Sequence, residues 1–189
     1  MASFLRYLAL LNTGIWLGIA LFMFIVAMTI FTAPEMGPVL SEKAARGQLG
    51  QIFFHRCYLA QYACAGVALL LLLLEWWIAK ADFPKWRFLL LLLIGGLVGG
   101  GGEWLAPKLE TLLRQKYPEY FQRAVRPGVI PATETDAASR EHAKWHRVSE
   151  GGFVAATGLL LIYFAATARA AAHSGRSKPR SKLSAFTSL

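Results

Sequence analysis

A chain of 189 residues that is 56% hydrophobic and only 16% charged carries too much apolar surface to remain disordered. Its apolar residues come in long runs rather than amphipathic stripes, which argues against a water-soluble globule. Lys and Arg outnumber Asp and Glu by 20 to 11, a formal net charge of +9, but the bases flank the apolar runs and form no stripe interleaved with aromatics, so the pattern suits lipid headgroups and not nucleic acid.

A hydrocarbon core of about 30 Å takes roughly 20 apolar residues per helix, and four segments are long enough. The first covers 7–31, with Asn12, Thr13 and Thr29 as its notable polar members. It is too long for a secretory signal, and no small-residue cleavage site follows a short apolar core, so it reads as a retained anchor. Pro34, Gly37 and Pro38 then break the helix. The second span, 57–78, closes on Trp76 and Trp77 as an interfacial belt, and Glu75 is expected to snorkel or sit near the headgroups. Cys57 and Cys64 lie seven residues apart in this span, about 10 Å of helical rise. They cannot bridge within one helix and read as small apolar residues.

A short turn with Asp82 and Pro84 leads to the third span, 86–105, and makes spans two and three antiparallel neighbours. This span holds Gly95, Gly96, Gly99, Gly100, Gly101 and Gly102. The 95/99 and 96/100 pairs have the small-xxx-small spacing that lets a neighbouring backbone approach, and Gly14 and Gly18 repeat it. A glycine-lined bend or cleft below Glu103 is the other reading. Leu109, Leu112 and Leu113 continue the helical spacing past Pro107 as a surface helix that Pro118 ends or bends. An irregular loop over 126–136 precedes a helix starting near 135–138 that runs into the fourth span, 148–168. The tail 170–189 is small, polar and basic and is expected to be disordered. The fold expected is therefore an all-α integral membrane protein. Residues 1–169 form an antiparallel four-transmembrane-helix bundle, with a long, partly helical connection between spans three and four.

Four spans put both termini on one side. Nine bases lie there and eleven on the other. Five of the nine follow the last span closely in an acid-free tail, which favours cytoplasmic termini.

Antiparallel threading gathers the unusual side chains at the other face. There the end of span one (Glu35), the start of span two (His55, Arg56, Tyr58), the end of span three (Glu103) and the start of span four (His142, His146, Ser149, Glu150) come together. His142, His146 and Glu150 are spaced by four and lie on one helical stripe. Two imidazoles one turn apart can share a metal ion, and a carboxylate one turn further can complete or orient the set. His55 and Glu103 are candidates to join from other helices, and imidazoles on facing helices are also what a haem iron takes. The bland alternative is that rim histidines bond headgroups, water or loop backbone; a proton- or ion-handling site is the third. Ala143 follows His142, so the stretch is not a zincin motif. No nucleophile elbow, phosphate loop or dinucleotide fingerprint is present, and the chain leans away from an enzyme.

The stretches Phe22 to Phe31 (FMFIVAMTIF) and Lys43 to Tyr58 (KAARGQLGQIFFHRCY), with Pro107 after span three and Lys144-Trp145-His146-Arg147-Val148-Ser149 before span four, resemble the transmembrane protein 205-like family. The likeness covers about 10–163. It departs from the family pattern at Met28, Arg46 and Phe54-His55, and in Gly152-Phe153 where an asparagine is usual. His146 and Ser149 are the positions that the resemblance carries over. The family has no settled activity. It is distantly similar to copper-resistance membrane proteins and to the haem b-holding membrane protoporphyrinogen oxidase, which implies a helix bundle of a bacterial-type inner membrane that handles a metal ion or haem.

Two functions are thus expected. One is a binding or transport module for a transition metal ion or haem b at the polar end of the bundle. Its metal ligands are drawn from His142, His146, Glu150 and Glu103, and its cofactor-binding residues are His146, His55 and Ser149. The other is a structural or scaffolding membrane protein whose glycine faces pair helices or protomers in a homo-oligomer.

Overall fold

The computed structural model describes residues 2–79, 83–122 and 132–174. Every regular element among them is helical. In chain order these are α1 (Ala2–Thr32), the single turn α2 (Met36–Val39), α3 (Lys43–Ala79), α4 (Lys85–Gly99), a π-helical segment (Gly100–Leu105), α5 (Ala106–Lys116), α6 (Pro118–Gln122) and α7 (Ala132–Ser174). Four stretches are long and apolar enough to cross a membrane: Ser3–Thr32, Lys43–Ile78, Lys85–Lys116 and Asp136–Ala172. A helix satisfies its backbone polar groups internally, which is what a lipid-immersed segment requires.

The pairings between α1 and α3 run in opposite order along the two helices. Arg6 binds Glu75 at 2.7 Å, Asn12 Nδ2 donates to the Cys64 carbonyl at 3.0 Å, and Phe22 meets Phe53 edge-on with ring centroids 6.1 Å apart. Near the far end, a Cβ on Gly50 would fall 2.8 Å from the Phe31 ring. The two helices are therefore antiparallel. α4 packs on α3 and α7, and α1 packs on the same two, so the four long helices close into a ring with α3 and α7 on one diagonal. Trp16, Leu72, Leu90, Ile94, Leu160 and Tyr163 fill its centre. Leu11, Ile15, Phe22, Leu70, Leu92 and Leu161 point outward and are exposed. Such a large apolar exterior is what a bilayer covers. Thr13 and Thr167 are buried but donate to the carbonyls of Ala9 and Tyr163, one turn back, at 2.6 and 2.9 Å.

At the pole where α1 starts and α7 ends, Glu75 does not snorkel. It is 8% exposed and accepts from Arg6 Nε at 2.7 Å and from Arg87 Nη1 at 2.9 Å. The carboxylate turns inward because two guanidiniums on neighbouring helices neutralise it there more fully than headgroups could. The triad fastens the starts of α1 and α4 to the end of α3.

At the opposite pole, the loop pole, the helices outrun the bilayer. α3 has 37 residues and α7 has 43, about 55 and 64 Å of rise against a core of about 30 Å. The polar surplus, 43–56 of α3 and 132–147 of α7, joins α5 in a three-helix cap. Ala44, Leu109, Leu113 and Ala138 are its buried apolar residues. Gly47 allows the closest approach, since a Cβ there would lie 2.7 Å from Leu113 Cδ1.

The expected continuation past Pro107 is present: α4, the π-helical segment and α5 form one rod, with Leu109 and Leu113 buried in the cap. Three other expectations change. The last helix runs to Ser174, five residues into the stretch read as a disordered tail, and residues 175–189 lie outside the described residues. It also starts at Ala132, inside the stretch read as an irregular loop, of which 126–131 lie outside the described residues. Of the glycine faces, Gly14 alone meets another helix, with a Cβ there 3.6 Å from the Phe164 ring; the rest do not pack against the described residues. A Cβ on Gly18, Gly95, Gly96, Gly99 or Gly100 would meet nothing within 4 Å. The close contacts fall instead on Gly101 and Gly102.

Candidate functional site at the loop pole

Pro107 has no N–H to give the carbonyl four residues back, and its ring would crowd that carbonyl. The helix responds by widening just before it. The Ala106 N–H donates to the Gly101 carbonyl, five residues back, and the π-helical segment Gly100–Leu105 results. Such segments are often found at functional sites. The glycines here receive aromatic side chains from α3. A Cβ on Gly101 would come 2.7 Å from the Tyr58 hydroxyl, and one on Gly102 would overlap the Tyr62 hydroxyl. The two tyrosines, one turn apart, stack with ring centroids 6.4 Å apart. Tyr62 faces Glu103, the next residue of the segment.

One residue on, Trp104 meets Trp145 of α7 edge-to-face, with centroids 5.2 Å apart. The Lys108 ammonium sits 3.6 Å from the Trp145 ring centroid and 5.2 Å from that of Trp104. A cation over two indole faces gains from both quadrupoles. Glu141 accepts from Trp145 Nε1 at 2.9 Å and fixes that ring in turn. This clamp ties the wide turn of the third crossing to the beginning of the fourth.

The residues singled out in the sequence share this pole but not one cluster. His142 and His146 project from successive turns of α7, their ring centroids 5.8 Å apart and tilted by 43°. Glu150 Oε1 lies 3.1 Å from His146 Nδ1. With Nδ1 engaged by a carboxylate, Nε2 is the nitrogen left to coordinate. Ser149 is half-buried on the same helix, His55 is exposed on α3, and Glu103 is exposed beside Tyr62. Lys116 of α5 lies within electrostatic reach of His142. Among the described residues, no three of His, Cys, Asp and Glu come together as a metal-holding group.

Sequence reasoning missed Tyr62, Trp104, Lys108 and Trp145. The four-residue spacing of Tyr58 and Tyr62, and of Trp104 and Lys108, was the available signal.

No curated protein and no solved structure matches the chain. A family model described as a domain of unknown function, DUF4149, matches residues 11–118. That match takes in three of the four long helices and more than half of the chain, and the chain belongs to the DUF4149 family.

Proposed function

We propose that this multi-pass membrane protein is a binding or transport module and that its ligand is a transition metal ion taken at the loop pole by His142 and His146. The observation that carries the reading is the oriented pair: two imidazoles on successive turns of one helix, the second held by Glu150. A carboxylate on the far ring nitrogen sets the tautomer and raises ligand basicity. Water or a further side chain would complete the coordination.

Haem b fits this pole less well. His55 and His146 would have to face each other between α3 and α7, which lie on the diagonal of the ring. α5 packs against both helices at that pole, and its Leu109 and Leu113 are buried there.

Calorimetric titration of the full chain in detergent with Zn²⁺ or Ni²⁺ tests the proposal. Saturable binding that disappears in His146→Ala and weakens about 10- to 100-fold in Glu150→Gln is expected. Unchanged binding in His146→Ala would refute it.

A second reading, a scaffold that pairs with other helices, is favoured by the open glycine face at 95, 96, 99 and 100, which none of the described residues fills. Crosslinking through cysteines placed at those positions separates the two: a scaffold gives discrete dimers and no metal dependence. The likeness to transmembrane protein 205-like proteins rests on the FMFIVAMTIF and KAARGQLGQIFFHRCY stretches. A bacterial inner-membrane location follows from that likeness. Cytoplasmic termini are supported by the basic residues after the last span.

A further inference from the structure

We infer that the free edge of the Arg87 guanidinium, at the pole opposite His142 and His146, is a binding site for a phosphate-class oxyanion. Arg87 is 9% exposed. Its Nη1 is engaged by Glu75 at 2.9 Å, but no hydrogen bond of sound geometry reaches Nε or Nη2. Those two nitrogens form one side of the guanidinium fork, the side that matches two oxygens of a phosphate or carboxylate. Leaving charged donors buried and unpaired is expensive, so the arrangement is incomplete without an acceptor.

Charge points the same way. Glu75 supplies one negative charge to two guanidiniums, Arg6 and Arg87, and the triad keeps one positive charge in surplus inside the bundle. Arg87 also lies in the first turn of α4, whose preceding residue, Pro84, provides no side-chain cap. The positive end of that helix adds to the field. The Tyr163 hydroxyl lies against the same guanidinium as a weak acceptor and keeps its own proton to donate to a bound oxygen. Trp77 and Trp86, both exposed, flank this end of the bundle as interfacial aromatics do. Phosphate, either on an anionic lipid or as the free ion, is the acceptor class available at headgroup depth; it would have to displace the side chains that cover Nε and Nη2.

The test uses the full-length chain in a neutral detergent without phosphate. Thermal unfolding is followed on adding sodium phosphate against sodium chloride of equal ionic strength, and on adding phosphatidylglycerol against uncharged diacylglycerol. The wild type is expected to melt higher with phosphatidylglycerol, with phosphate, or with both. Stabilisation by both supports the site and shows that the free ion suffices; by phosphatidylglycerol alone, it supports the site and assigns it to lipid. Arg87→Lys keeps a charge for Glu75 but loses the fork, and should need about tenfold more of the same additive for half the effect. Arg56→Lys, exposed at the other pole, should respond like wild type. No shift in the wild type with either additive, an unchanged half-maximal concentration in Arg87→Lys, or an equal loss in Arg56→Lys would overturn the assignment. If Arg87→Lys does not fold, native mass spectrometry of the wild type decides. A retained phosphate or phosphatidylglycerol adduct supports the site, and bare protein after exposure to both overturns it.

Discussion

The hydroxyl of Tyr62 rests so closely on the backbone of Gly102 that a methyl group could not be placed there. Glycine is thus required on the wide turn by a neighbouring helix, not by any unusual backbone angle.

Replacing that glycine should be felt, and replacing its neighbours should not. Gly102→Ala forces Tyr62 aside and is expected to cost about 1–3 kcal/mol, read as a lower melting temperature in detergent. Gly96→Ala meets open space and should be neutral or gain up to about 1 kcal/mol from helix propensity. Equal effects at the two positions would contradict the packing described.

Removing the negative member of the ion triad leaves two guanidiniums facing each other. Glu75→Gln should destabilise the bundle by about 3–5 kcal/mol, as loss of one partner from a buried pair does. Arg6→Gln should cost less, since its side chain is more than twice as exposed as that of Arg87. Chemical or SDS unfolding of the three proteins checks the order.

The cap should report separately from the membrane core. Leu113→Ala opens a cavity against Gly47 and is expected to cost about 2–4 kcal/mol. Hydrogen exchange should rise over 43–50, 106–116 and 136–142 while amides near Trp16 and Leu72 stay protected. Exchange that rises through the whole chain would show that cap and bundle unfold as one unit.

A cation near a metal site weakens it. Lys116 lies within electrostatic reach of His142, so Lys116→Gln should tighten Zn²⁺ binding several-fold, about 1 kcal/mol for one partly screened charge. Titration of the variant beside wild type measures the change, and unaltered or weaker binding would place the metal elsewhere.

The four crossings were legible because apolar runs of membrane length have few other uses. Their antiparallel order followed from chain threading, and so did the gathering of His55, Glu103, His142 and His146 at one pole. What each side chain faces was not legible. A helix that is apolar on all sides gives no stripe to orient it, so the outward turn of Gly95 and Gly96 and the inward turn of Glu75 could not be read. The π-helical segment escaped because its cause is distributed: Pro107 disturbs the ladder, glycines tolerate the wider turn, and tyrosines from another helix fill it. The cap escaped because Ala44, Gly47, Leu109, Leu113 and Ala138 are few and come from three separate elements.

X-ray absorption spectroscopy of the zinc-loaded full chain tests the central proposal most directly. Two imidazole nitrogens at about 2.0–2.1 Å in the first shell, falling to one in His142→Ala, are predicted. A shell of oxygen alone, or one indifferent to both histidines, would contradict it.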